Sequence, residues 1–158
     1  MMRLGRRLVS AALLLALLAT VIYPGRAGAE PKSLRDQLVG TWILVSAVDV
    51  RKDGSKVNRW GAAPKGTFIF TSEGRYAQMI LRTDVRMFGA RNAASFGTFT
   101  VNERDKTIVT RVEASSNHNY NGTDRKRIIV SLTDDELIYL NPSTSSGTSV
   151  RAIWKRAH

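Results

Sequence analysis

Eight short β-patterned segments are joined in this chain by connections that alternate long and tight. The long ones cover residues 51–65, 83–94, 116–124 and 141–149; the tight ones cover 72–74, 102–106 and 133–135. In an antiparallel meander, successive connections lie at opposite ends. The pattern therefore collects every long loop at one end and every tight turn at the other. A meander of this many strands can close on itself and so remove its edges. The predicted fold is all-β: an eight-stranded antiparallel up-and-down β-barrel, a cup with a decorated mouth and a closed floor.

The segments themselves are 40–50, 66–71, 75–82, 95–101, 107–115, 125–132, 136–140 and 150–155. The first, GTWILVSAVDV, is apolar on both faces and opens at Gly40 and Trp42, so it is covered on both sides at its start. Residues 31–38 form a short helical turn capped by Ser33, with Leu34 and Leu38 on one face. That turn is expected to close the floor beside Trp42. Period-2 alternation turns Ile108, Val112, Ile128, Val130 and Trp154 inward. Segment 75–82 leaves two inner sets open, Tyr76/Gln78/Ile80 and Ala77/Met79/Leu81.

Residues 1–29 read as a secretory signal peptide. Arg3, Arg6 and Arg7 precede an apolar run from Leu8 to Ile22, and Ala27-Gly28-Ala29 ends in small residues. The paired Arg6-Arg7 is compatible with a twin-arginine route. The remaining 129 residues, 30–158, are enough for one domain with one core. The chain carries 24 basic and 13 acidic residues, +11 in all; residues 1–29 hold four arginines and no acid, leaving +7. The absence of cysteine means that an exported domain of this kind holds together by packing alone. The expected location is periplasmic or secreted, with no membrane span in the mature chain.

At this point the residues resemble a family. Gly40-Thr41-Trp42 is similar to the Gly-x-Trp signature of lipocalins. The set Leu38–Trp42, Gly66 to Gly74, Val112–Ser115, Gly122-Thr123-Asp124 with Arg127, and Ile153-Trp154 resembles the bacterial and fungal lipocalin-like domain family. The resemblance spans roughly residues 38–156, and departs at Asn119-Tyr120-Asn121, where that family commonly has a Pro and a Trp. It implies a calycin-type barrel with a central cavity and no single reaction. It also implies that a basic side chain of the last strand covers Trp42; Lys155 and Arg156 are favoured over Arg151 by loop parity.

Catalytic signatures are missing: no Gly-x-Ser-x-Gly, no His-Glu-x-x-His, no phosphate loop and no cysteine nucleophile. Neither a cofactor nor a metal is expected. The clusters Arg51-Lys52 and Arg125-Lys126-Arg127 lack interleaved aromatics, so nucleic acid is not an expected partner. The long loops and adjoining strand ends carry Arg51, Lys52, Lys56, Arg59, Lys65, Arg82, Arg86, Arg91, Arg125 and Arg127. The tight turns hold Glu73, Glu103, Asp105, Asp134, Asp135 and Glu136. A positive mouth over an apolar interior suits a small hydrophobic or amphiphilic molecule with an anionic head, a fatty acid for example.

The expected ligand-binding residues are Trp60, Arg82, Phe88, Glu113, His118, Tyr120 and Arg127. Arg82 and Arg127 are the candidates for the anionic head, although strand phase sets Arg127 opposite to Ile128 and Val130. Glu113 falls out of phase with Ile108, Thr110 and Val112, which places it outside; facing inward it would need a partner such as Arg127. The leading expectation is an exported small-molecule binding protein. The alternatives are an isomerase, cyclase or hydrolase using Glu113, His118 or Tyr120, and an envelope protein whose barrel is filled by side chains.

Overall fold

The computed structural model describes residues 31–58, 60–84, 92–142 and 148–158. The expected export segment, and Arg59, Arg86, Phe88 and Arg91, lie outside the described residues.

The strands are β1 (Gly40–Val50), β2 (Lys56–Val57), β3 (Lys65–Phe70), β4 (Arg75–Leu81), β5 (Asn92–Asn102), β6 (Thr107–Ser115), β7 (Asp124–Leu132), β8 (Glu136–Asn141) and β9 (Ser149–Arg156). They pair antiparallel in the order β2-β1-β3-β4-β5-β6-β7-β8-β9, and β1 also pairs with β9. Eight strands therefore close a barrel, as the loop pattern requires, and β2 is a two-residue addition at the far end of β1. β1 closes the ring by changing partners. Its first residues, Gly40–Ile43, pair with β3, while Trp42–Val50 pair with β9 across an irregularity between Leu44 and Ser46. That irregularity shifts the inward phase from Trp42 and Leu44 to Ala47 and Asp49.

The floor is built around Trp42. Helix α1 (Leu34–Leu38) is capped by Ser33, whose hydroxyl accepts from the Asp36 N–H at 3.0 Å. The Glu103 carboxylate of a tight turn accepts from the Leu34 and Arg35 N–H groups at 3.1 and 3.3 Å. Trp42 is fully buried and its indole N–H donates to the Leu38 carbonyl at 2.8 Å. Arg156 of β9 lies 4.2 Å over the Trp42 ring. Its guanidinium donates to the carbonyls of Gln37 (2.6 Å), Val39 (2.9 Å) and Asp134. One side chain thus satisfies orphan carbonyls at the end of α1 and shields the indole face. Gly40 is required there: its φ is +133°, and a Cβ would sit 2.6 Å from the Arg156 guanidinium. All three tight turns meet this end, through Arg35 to Ser72 O, Glu103 to α1, and Arg156 to Asp134.

Above the floor the lower barrel is filled with aromatic rings. Phe68 lies 4.1 Å from Phe70 and 5.5 Å from Trp154, and Phe70 lies 4.9 Å from Phe99. Ile108, Val112 and Trp154 are buried, as alternation predicts. In β4 the inner set is Tyr76, Gln78 and Ile80. The phase of β7 is opposite to the prediction: Arg127 and Ile129 are buried, while Ile128 and Val130 are 37% and 53% exposed. The reason is register. Directly paired residues face the same side of a sheet, and Arg127 pairs with inward Ile108, Arg125 with inward Thr110. The consecutive isoleucines 128 and 129 make either phase apolar, so the sequence pattern of this strand cannot distinguish them.

Candidate functional site

The upper barrel is hollow. A cavity of about 290 Å³ lies within the halves of the strands nearest the long connections. β4 contributes Gln78 and Ile80, and β5 contributes Asn92 to Ser95. Val112 and Ser115 come from β6, Arg125 and Arg127 from β7, Tyr139 and Asn141 from β8, Val150 and Ala152 from β9. Ser116, Asn117, Tyr120 and Trp60 complete the wall from the loops. Val112 and Ser115 face inward together because β6 carries an extra residue, Glu113, opposite the Phe96/Gly97 step of β5. Gly97 makes that step possible, since a Cβ there would collide with the Arg111 carbonyl.

Where the cavity meets the aromatic floor, a polar cluster is set into the wall. Arg127, 5% exposed, donates to Thr110 Oγ1 at 2.7 Å and to Gln78 Oε1 at 2.9 Å. Gln78 Nε2 donates to the Tyr139 hydroxyl at 3.0 Å. The guanidinium carbon lies 5.3 Å from the Phe68 ring and 5.6 Å from the Tyr139 ring. Arg127 Nε has no hydrogen-bond partner, and no carboxylate pairs with Arg127 among the described residues. Among the described residues, the cavity wall contains two arginines and no acid. Arg125 is one inward position nearer the mouth, 4.1 Å from the centre of the Tyr120 ring. A buried cation without a counter-ion is costly unless something else compensates it.

Of the expected residues, Trp60, Tyr120 and Arg127 are brought together on the cavity wall. Arg82 is not on it; it pairs with Asp84 at 2.6 Å, and its guanidinium holds the Asp84 carboxyl below the usual carboxylate range. Glu113 is outside the barrel, in a two-pronged pair with Arg75 at 2.6 and 2.8 Å across β5. His118 opens a 3₁₀ turn, His118–Tyr120, and is exposed and off the wall. Phe88 lies outside the described residues. Glu113 and His118 therefore do not converge with Tyr120. Among the described residues, no group of three His, Asp or Glu is placed to hold a metal ion.

Sequence reasoning missed Gln78, Thr110, Tyr139 and the inward face of Arg125. A usable signal existed for the last: Arg125 and Arg127 are two apart, so whatever phase one takes the other shares. Gln78 offered a weaker one, as a lone amide in an otherwise apolar alternation.

A closed eight-stranded meander with Gly40 and Trp42 at its floor and a cavity above it defines a calycin-like barrel. No family model matches the chain, and no curated protein matches it. Among solved structures it is similar to a de novo designed fluorescence-activating β-barrel, with TM-score 0.47 and 13% identity over 80% of this chain and 100% of that one. It is also similar to the bovine odorant-binding protein in complex with a selenium-containing odorant. There the TM-score is 0.45 and the identity 19%, over 82% of this chain and 76% of that one.

Proposed function

We propose that this protein binds a small anionic amphiphile head-first, with the anionic group against Arg127. The observation that carries the reading is the Arg127 guanidinium, nearly buried on the cavity wall with an unsatisfied Nε and, among the described residues, no carboxylate partner. An entering carboxylate supplies the missing charge and accepts that hydrogen bond. Ile80, Ala93, Val112, Val150 and Trp60 then surround the apolar body. This orientation reverses the one expected from the charged mouth: the decisive cation lies at the inner end of the cavity, and Arg125 beside Tyr120 guides the approach.

Size narrows the ligand. At ~30 Å³ for each water-sized group, about 290 Å³ holds roughly ten non-hydrogen atoms. That is close to the lower edge of ordinary small-molecule pockets, about 300 Å³. Octanoate is therefore a probe of a size this space accommodates. Binding rather than catalysis is favoured, because the candidate acid and histidine stand apart from the cavity. The reading extends to an exported member of the bacterial and fungal lipocalin-like family, with residues 30–158 as the working domain, on the strength of the motif set and the basic, apolar N-terminal stretch.

The test is a fluorescence titration with octanoate and with octanol at low and high salt. Octanoate should bind at least ~30-fold more tightly, the ratio expected when a buried cation gains its partner. Equal affinities, or binding of neither, refute the anionic-ligand reading. Native mass spectrometry of protein purified from its own host would reveal a retained ligand directly.

A further inference from the structure

The outer surface of the barrel carries an apolar patch that nothing in the cavity requires. Ile43, Val45, Met79 and Phe96 each leave more than two fifths of their surface exposed, and Ile69 and Leu81 somewhat less. Register makes them one surface. Ile43 pairs through Thr67 to Met79 and Ala94. One row nearer the floor, Thr41 pairs through Ile69 and Ala77 to Phe96 and Ala114. Residues in these two rows are about 5 Å apart across strands and about 7 Å apart along them. Ala77, Ala94 and Ala114 are small, so a shallow trough runs between Ile69, Met79 and Phe96. Monomeric proteins rarely leave a contiguous patch of this kind open to water without a use.

Basic side chains flank the patch on three sides. Lys65 begins β3 at the mouth end, Arg75 begins β4 at the floor end, and Lys155 on β9 pairs with Ile43. No outward position of β1, β3, β4 or β5 holds an Asp or Glu among the described residues. The neighbouring carboxylates are Glu113 on β6, engaged by Arg75, and Glu136 on β8, beyond Lys155. An apolar surface flanked by lysine and arginine, on a chain that keeps a formal charge of +7 once the four arginines of residues 1–29 are set aside, is complementary to anionic headgroups over hydrocarbon.

We infer that the outward face of β1, β3, β4 and β5 docks on an anionic lipid bilayer. Ile43, Ile69, Met79 and Phe96 enter the headgroup boundary, while Lys65 and Lys155 meet lipid phosphates. The patch is distinct from the cavity and stands whatever fills it.

The chain has no cysteine, so single labels report each face cleanly. Met79→Cys and Val130→Cys of the full chain each receive an environment-sensitive fluorophore. Val130 is similarly exposed but lies on β7, across the barrel. Vesicles are pure phosphatidylcholine, or equal parts phosphatidylcholine and phosphatidylglycerol. The docking face predicts a blue shift and protection from an aqueous quencher at position 79 on anionic vesicles only, with position 130 unchanged. Both variants share residues 1–30, so attachment through that stretch would not favour one label. Lys65→Gln should lower partition onto the anionic vesicles ~5-fold, the effect of one lost surface charge. Equal responses at 79 and 130, no response on anionic vesicles, or a shift at 79 from self-association without vesicles would each overturn the inference.

Discussion

Replacing Arg127 by Met separates the two roles a buried cation can play. The substitution removes two charge-assisted hydrogen bonds, to Thr110 and Gln78, and contacts with two aromatic rings. The hydrogen bonds are each worth roughly 1.5–3 kcal/mol. The ring contacts add about 0.5–2 kcal/mol. Against this stands the desolvation of a guanidinium with no counter-ion, several kcal/mol in effect. The terms nearly cancel, so the unfolding free energy of the unliganded protein should change by no more than ~2 kcal/mol, in either direction. Affinity for octanoate has no such cancellation and should fall by at least ~2 kcal/mol, about 30-fold. Octanol affinity should hardly move. Urea unfolding of the free protein and fluorescence titration with both ligands measure the three quantities. A loss of stability above ~4 kcal/mol would assign Arg127 to structure, and parallel loss of octanoate and octanol binding would refute the charge argument.

Trp42→Ala should cost roughly 3–5 kcal/mol in thermal or chemical unfolding, as a fully buried aromatic truncation at the floor. The two buried indoles should respond differently to phenylalanine. Trp42→Phe leaves the Leu38 carbonyl without its donor and should cost more than Trp154→Phe, because the Trp154 N–H has no partner to lose. The phase of β7 predicts that Val130→Lys changes stability by less than ~0.5 kcal/mol, whereas Ile129→Lys prevents folding or costs several kcal/mol, read by circular dichroism and melting. Acid should weaken the fold. The Ser55 hydroxyl, the Ser72 hydroxyl and the Arg82 guanidinium hold the carboxyls of Asp53, Glu73 and Asp84 below the usual carboxylate range. Lowered folded pKa values mean stabilisation that is complete above the unfolded values and lost as pH falls through the folded ones. The urea midpoint should therefore be level at neutral pH and decline below about pH 4.5, least in Asp84→Asn.

Sequence alone decided the barrel, its handed-out loops and its floor. Loop alternation is set by strand order, and strand order in a meander follows the chain. Gly40, Trp42 and Ser33 are local requirements of one compact junction, so their spacing was readable; the resemblance implied a basic cover from the last strand, loop parity narrowed it to Lys155 or Arg156, and the structure selects Arg156. The inner wall was only half legible. Alternation worked where one phase was polar, as in Thr107 to Val112, and failed in β7, where Arg125, Arg127, Ile128, Ile129 and Val130 suit both faces. Only pairing with β6 resolved it, because the cross-strand neighbour decides which side a residue takes. The same fact explains why Glu113 left the candidate site and Gln78, Thr110 and Tyr139 joined it: their meeting depends on three separate registers and one bulge at Glu113. The external patch was hidden for a related reason, since Ile43, Ile69, Met79 and Phe96 look like core in sequence. Which apolar face of a strand turns to water is a property of closure, and closure belongs to the whole barrel.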